Sequence, residues 1–212
     1  MTTISSTYCP RLRCLQPVLK RWTRLNPELA LRWRRSKDRD FPWWYRERAV
    51  LSTFAGAVWL SKGTVLEEYS SMKRSLLKRS RSGPGRVDLF FTVGKRWFIA
   101  EAKQCFPGMV RPGKDRRLIQ GCIDSAVAEV GRSRPERMRR LALAFVVPRF
   151  PKQHKHTLKS YLIRVGYELR SLEVGAAAWI FPDIEDAPRY KGYLYPGIIL
   201  LVKEVKRTGY RQ

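Results

Sequence analysis

The sequence predicts an α/β fold, a mixed central β-sheet of about five strands flanked by helices. Three observations carry this. Short runs rich in β-branched, aromatic and aliphatic residues alternate along the chain with stretches of helical periodicity. Hydrophobic residues make up 44% of the 212, enough to bury one sizeable core. The longest apolar run, Gly197 to Val202, has the length of a strand and falls far short of the ~20 residues that cross a bilayer.

Residues 1–40 differ in composition from the rest, with ten basic residues against three acidic and with Trp22 and Trp33 set among arginines. They read as a basic N-terminal arm whose aromatics stack on bases or pack on the body, with the domain proper spanning 41–212. Trp43, Trp44 and Tyr45 then read as packing at the start of the first helix of that domain. Residues 46–62 form this helix, with Val50, Leu51, Phe54, Ala57 and Val58 at helical spacing and a stop at Gly63. One turn back, the apolar line reaches Glu47, so this carboxylate lies on the inward side. The helix dipole by itself also favours an acid there.

Residues 64–70 read as a strand. Residues 72–86, with six Lys or Arg and no acid, read as a flexible basic loop. Residues 87–103 make a β-hairpin, and 115–130 an amphipathic helix with Leu118, Ile119, Cys122, Ile123, Ala126, Val127 and Val130 on one face. A buried strand at 141–147, a helix at 157–172, a strand at 176–181 and a last strand within 193–205 complete the order.

The hairpin is the informative stretch. A two-residue turn at Gly94-Lys95 is favoured because glycine suits the first central position of a II′ turn. Every residue i then pairs with 189 − i, and Asp88 lies across from Glu101. Alternation along the strand puts Lys103 on the same face. Like charges directly opposite each other destabilise a sheet unless compensated, and a hard divalent cation such as Mg²⁺, with Mn²⁺ as a substitute, is one compensation. A solvated surface triad bridged by Lys103 is the other.

Lys and Arg number 43 against 18 Asp and Glu, a formal net charge of +25. Such a surplus, spread along the whole chain, points to nucleic acid, most simply DNA, as partner rather than to a membrane surface. The basic residues Lys73, Arg74, Lys78, Arg79, Arg81 and Arg86 of the 72–86 stretch, with Gln104, Arg116, Arg117 and Gln120, are candidates for phosphate contacts. Arg132, Arg134, Arg137, Arg139 and Arg140 form a further basic turn. Four cysteines without a CxxC pair read as reduced thiols of a cytoplasmic protein, nucleoid-associated if bacterial. His154 and His156 read as part of a basic surface loop.

Asp88, followed after twelve intervening residues by Glu101-Ala102-Lys103, resembles the signature of the PD-(D/E)XK nucleases, the restriction-endonuclease-like fold. Val87 stands where the proline of the pattern would be. The resemblance covers roughly residues 43–205 and also the order of elements. It implies that Asp88 and Glu101 bind the metal, that Ala102 adds its backbone carbonyl, and that Lys103 acts on the attacking water. An acid of the preceding helix, here Glu47, often joins them; Glu67 or Glu68 is the fallback. It implies a Mg²⁺-dependent phosphodiester hydrolase, an endonuclease of defence, repair, recombination or mobile elements, acting as a dimer or as a subunit of a larger nucleoprotein complex. A catalytically idle nucleic-acid-binding module on the same fold and a basic assembly protein are the competing readings.

Overall fold

Glycine at position 94 permits a backbone that most side chains avoid: φ is 57° there, while Lys95 keeps the negative φ that completes a II′ turn. From this turn β3 (Ser82–Val93) and β4 (Arg96–Cys105) pair antiparallel from Val93↔Arg96 to Leu89↔Ala100, in the register expected from the sequence. The computed structural model describes residues 3–34, 41–74, 82–108, 112–135, 137–168, 172–182 and 187–206.

The elements are β1 (Ile4–Tyr8), α1 (Gln16–Arg34), α2 (Glu47–Leu60), β2 (Val65–Arg74), β3, β4, α3 (Pro112–Arg132), β5 (Arg139–Val146), β6 (Phe150–Pro151), α4 (Leu158–Glu168), β7 (Ala176–Phe181), β8 (Arg189–Tyr190), β9 (Tyr193–Leu194) and β10 (Ile198–Val205). Seven strands make one mixed sheet in the order β1-β7-β10-β5-β4-β3-β2, and β6-β9-β8 form a small second one. The pair β4–β5 is parallel, with α3 as its crossover; the other neighbours are antiparallel. This is the mixed, helix-flanked sheet expected from the sequence, with seven strands where about five were expected; β1, at one edge, is the strand that the sequence reading did not include.

That edge changes the domain picture. The arm expected at residues 1–40 is built into the body as far as residue 34. Ile4 to Tyr8 pair with β7, and Leu15, Val18, Leu19 and Trp22 on and before α1 are fully buried. The Trp22 indole N–H donates to Thr53 Oγ1 of α2 at 2.9 Å, so this tryptophan locks two helices together rather than stacking on bases. Trp43 is buried and Trp44 packs edge-on against Phe41 and Tyr195, as expected for residues that seat the start of α2; Tyr45 is exposed.

Helices α1 and α2 cover one face of the sheet, over Leu89, Phe91, Phe98, Ala100, Ala102, Phe145 and Leu200. Helices α3 and α4 cover the other, over Ile99, Ala142, Ala144, Val146 and Ile199. The α2 line of Val50, Leu51, Phe54, Ala57 and Val58 is buried throughout. Its stop differs in detail: Lys62 takes the left-handed conformation (φ 63°), while Gly63 is required by space, since a Cβ there would lie 2.3 Å from the Thr92 carbonyl oxygen.

The flexible loop expected at 72–86 is a second correction. Met72↔Pro84, Lys73↔Gly83 and Arg74↔Ser82 continue the β2–β3 ladder into a ribbon. Lys78, Arg79 and Arg81 lie outside the described residues.

Candidate active site

The β3–β4 ladder opens where the acids begin. Leu89↔Ala100 is its last rung, and in place of the next one, Asp88↔Glu101, the Ala102 N–H donates to the Asp88 side chain, Oδ2, at 2.7 Å. Asp88 thus replaces a backbone acceptor at the fork between diverging strands. In a strand the N–H and C=O of one residue point to the same side, so the Ala102 carbonyl is also directed into this fork. On the β2 side the ladder skips Asp88 as well: Glu67↔Leu89 and Tyr69↔Val87 are paired, and Glu68 between them has φ 53°. A left-handed glutamate is a strained backbone of the kind that gathers at functional sites. It turns the Glu68 carboxylate outward to Arg48 Nη2, at 2.7 Å.

The irregularity rotates both strands. Leu89 packs beneath α2, yet Val87, two residues before it, packs beneath α3 with Ile99, Ala126 and Val130. Regular alternation would place both on one face.

Glu101, 2% exposed, is one of the few buried charged residues. Burial pushes its carboxyl up to about 7; a hydrogen bond from Lys73 opposes this and the neighbouring Asp88 adds to it. Lys73 Nζ sits 2.5 Å from Glu101 Oε1. Its aliphatic stem passes over Gly85, where a Cβ would come within 3.0 Å of Lys73 Cγ and Cδ. Lys73, expected to contact phosphates, is instead the internal counter-ion of Glu101.

Glu47, the first residue of α2, reaches the same place. Burial raises its carboxyl; the Lys103 charge and the Gln104 backbone N–H lower it, and Asp88 and Glu129 raise it again. Lys103 Nζ lies 2.9 Å from Glu129 Oε2 of α3. Burial works against the Lys103 charge, but the Glu129 hydrogen bond and the fields of Glu47, Glu129 and Asp88 outweigh it, so its pKa is raised.

The structure therefore brings together Glu47, Asp88, Glu101, Ala102 and Lys103 at the carboxyl end of β4. It adds two residues that sequence reasoning missed in this role, Lys73 and Glu129. Glu129 flanks the α3 stripe next to Val130, a placement visible only once α3 is known to lie across β4. Glu67 and Glu68, the fallback acids, are committed elsewhere, to Ser52 and to Arg48 and Arg86.

Among the described residues, no three His, Cys, Asp or Glu side chains already close on one point. The donors at the fork are nevertheless hard oxygens, those of the buried Glu101 and the half-buried Asp88 and Glu47. That chemistry fits a small divalent cation, with Asp88, Glu101 and the Ala102 carbonyl able to hold it and Glu47 in reach.

The outer candidates fare unequally. Gln104 donates through Nε2 to the Tyr45 carbonyl at 3.0 Å, and Gln120 is tied to Asp124 at 2.9 Å on its own helix. Arg116 and Arg117 are exposed, as is Arg86, whose guanidinium lies 3.9 Å from Glu68. The Arg74 backbone belongs to the ribbon; its side chain lies outside the described residues. In the basic turn, Arg139 makes a paired contact with Glu204, both bonds 2.7 Å, and Arg140 bonds the Gly131 carbonyl, so both side chains are engaged within the protein. The cysteines are free thiols. The side chains of His154 and His156 lie outside the described residues. No helix among the described residues is long and apolar enough to cross a membrane.

Comparison with known proteins finds no matching family model, no matching curated protein and no matching solved structure.

Proposed function

We propose that this protein is a divalent-metal-dependent nuclease of the PD-(D/E)XK type that hydrolyses phosphodiester bonds, with DNA as the first substrate to test. The observation that carries the reading is the fork at Asp88. A strand pair that is regular for five rungs opens there, and into the opening come two carboxylates, a backbone carbonyl, a helix acid and an ammonium group. A structural ion triad has no need of a broken ladder or of a left-handed Glu68 beside it.

Asp88 and Glu101, with the Ala102 carbonyl, would hold Mg²⁺ or Mn²⁺, and Glu47 would approach from α2. The ion, when bound, supplies Lewis acidity, easing deprotonation of the attacking water and neutralising charge on the phosphoryl oxygens. The protein's own groups divide the remaining work. Asp88 is fixed by the Ala102 N–H, so its free oxygen has a defined direction. Lys73 balances Glu101 until a cation replaces it. Lys103, with its raised pKa, stays an ammonium near neutral pH; it suits orienting a water and stabilising the pentavalent phosphorus rather than removing a proton.

The test is incubation of plasmid and oligonucleotides with the purified protein in Mg²⁺, Mn²⁺ or EDTA. Metal-dependent nicking is expected, abolished by Asp88→Ala and by Lys103→Ala while binding persists. Nicking that survives both substitutions belongs to a contaminant or another site and overturns the proposal; no nicking under any condition from protein that binds DNA overturns it in favour of the non-catalytic binding module.

A further inference from the structure

A cavity of about 570 Å³ opens at the far edge of the sheet, between the edge strand β1 and helix α1. One wall is polar backbone edge with the hydroxyls of Ser5 and Thr7. The other is a single stripe of α1, where Lys20, Thr23, Arg24 and Glu28 follow at the i, i+3, i+4 spacing that puts side chains on one face. Lys20 and Arg24 are exposed and Glu28 is the one carboxylate among the described lining residues, which together carry net positive charge.

Strand register ties this groove to the candidate active site. Gln104 pairs with Phe145, Phe145 with Leu200, Leu200 with Ala178, and Ala178 with Thr7. Thr7 and Gln104 thus share one rung, four interstrand steps apart, or about 19 Å at ~4.8 Å per step. Phe145, Leu200 and Ala178 all lie beneath α1 and α2, and Thr7 follows their parity. The Gln104 N–H is the group that holds Glu47. A duplex whose axis follows this end of the sheet from the fork meets the groove about six phosphates later on one strand, at ~3.4 Å of helix axis per phosphate.

We propose that this groove is a second nucleic-acid contact, binding the phosphodiester backbone of the strand that enters the candidate active site. It rests on the nucleic-acid reading above but not on catalysis. Lys20 and Arg24 supply the charge, and the hydroxyls of Ser5 and Thr7 supply neutral donors to phosphate oxygens. Neutral donors set along an edge strand distinguish a seat for a backbone from the diffuse surface charge of a +25 chain.

Fluorescence anisotropy in EDTA tests this, with labelled single strands and duplexes of about 20 nucleotides and a salt titration for each protein. Lys20→Ala/Arg24→Ala should lower the slope of log K against log salt by about 1.4 on single strands or about 1.8 on duplex, the two probes telling which form lies in the groove. Thr7→Val should weaken binding several-fold with the slope unchanged. The control pair Lys62→Ala/Lys95→Ala, at the opposite end of the sheet, should leave slope and affinity in place. A groove pair that behaves like the control pair, or affinity that ignores Thr7→Val, overturns the proposal and leaves the nuclease reading standing. Wild-type protein that binds neither probe overturns both.

Discussion

The buried Glu101 carboxyl makes stability depend on pH in a way that one substitution can isolate. In the unfolded chain a glutamate loses its proton near 4.5; in the folded protein Glu101 holds it to about 7. Between these values the folded state binds more protons than the unfolded one, so unfolding free energy falls as pH rises through the window and is flat on either side. A separation of roughly 2.5 units at 1.36 kcal/mol each gives about 3 kcal/mol. Glu101 is 2% exposed, so solvent screening takes little from this figure. Glu101→Gln carries no titrating group there and keeps the shape. Glu47, also raised by burial, contributes in the same direction to both proteins and largely cancels in the comparison. Urea unfolding in EDTA, followed by far-ultraviolet circular dichroism at intervals from about pH 4 to pH 8, should show wild type losing about 3 kcal/mol relative to Glu101→Gln. Adding Mg²⁺ at pH 8 to about a hundred times its dissociation constant should return about 2.7 kcal/mol to wild type and far less to the variant. Parallel pH profiles would refute the claim that Glu101 is the buried, destabilised acid of the site.

Lys73→Met removes the counter-ion while keeping most of the stem that passes over Gly85. At pH 8 it should cost about 3–5 kcal/mol of stability, less near pH 6 where Glu101 can protonate, and should tighten Mn²⁺ binding measured by calorimetry by about tenfold. Gly63→Ala drives a methyl against the Thr92 carbonyl, 2.3 Å from the ideal Cβ, and should lower the melting temperature by at least about 4 °C, read by differential scanning calorimetry.

The hairpin was legible because its information is local. A glycine at the turn and strict alternation determine which residues pair, and the register follows by counting. What counting could not show was the end of the ladder. Whether Asp88 faces Glu101 across a rung or takes the Ala102 N–H depends on β3 diverging after Leu89 while β4 continues beside β5, and on Glu68 accepting a left-handed backbone. Both are tertiary choices. Lys73 was misread for a related reason: Ser82, Gly83, Pro84 and Gly85 have the composition of a loop, yet Gly85 is small because a lysine stem crosses it. The N-terminal residues were misread from charge. Basic residues on the exposed side of α1 dominate its composition, while Leu15, Val18, Leu19 and Trp22 bury the other side and make the helix part of the core.

The role of Lys103 is where geometry narrows the chemistry furthest. An amine acting as general base must spend much of its time uncharged near the working pH, which burial among apolar groups or other cations achieves. Lys103 has the opposite surroundings: Glu129 at 2.9 Å, with Glu47 and Asp88 in its field, and a raised pKa as the result. An ammonium that stays charged can be replaced by another permanent cation, whereas a base cannot. Lys103→Arg should therefore keep metal-dependent cleavage within about 10- to 30-fold of wild type, while Lys103→Met should lose about 10²–10³-fold, the usual effect of removing one donor to developing charge. The wild-type profile of kcat/KM should show no alkaline fall below the ordinary lysine range, and Glu129→Gln should move that fall downward. If Lys103→Arg is as dead as Lys103→Met, and activity rises with pH through a group that disappears in both, Lys103 takes the proton and the electrostatic assignment is wrong.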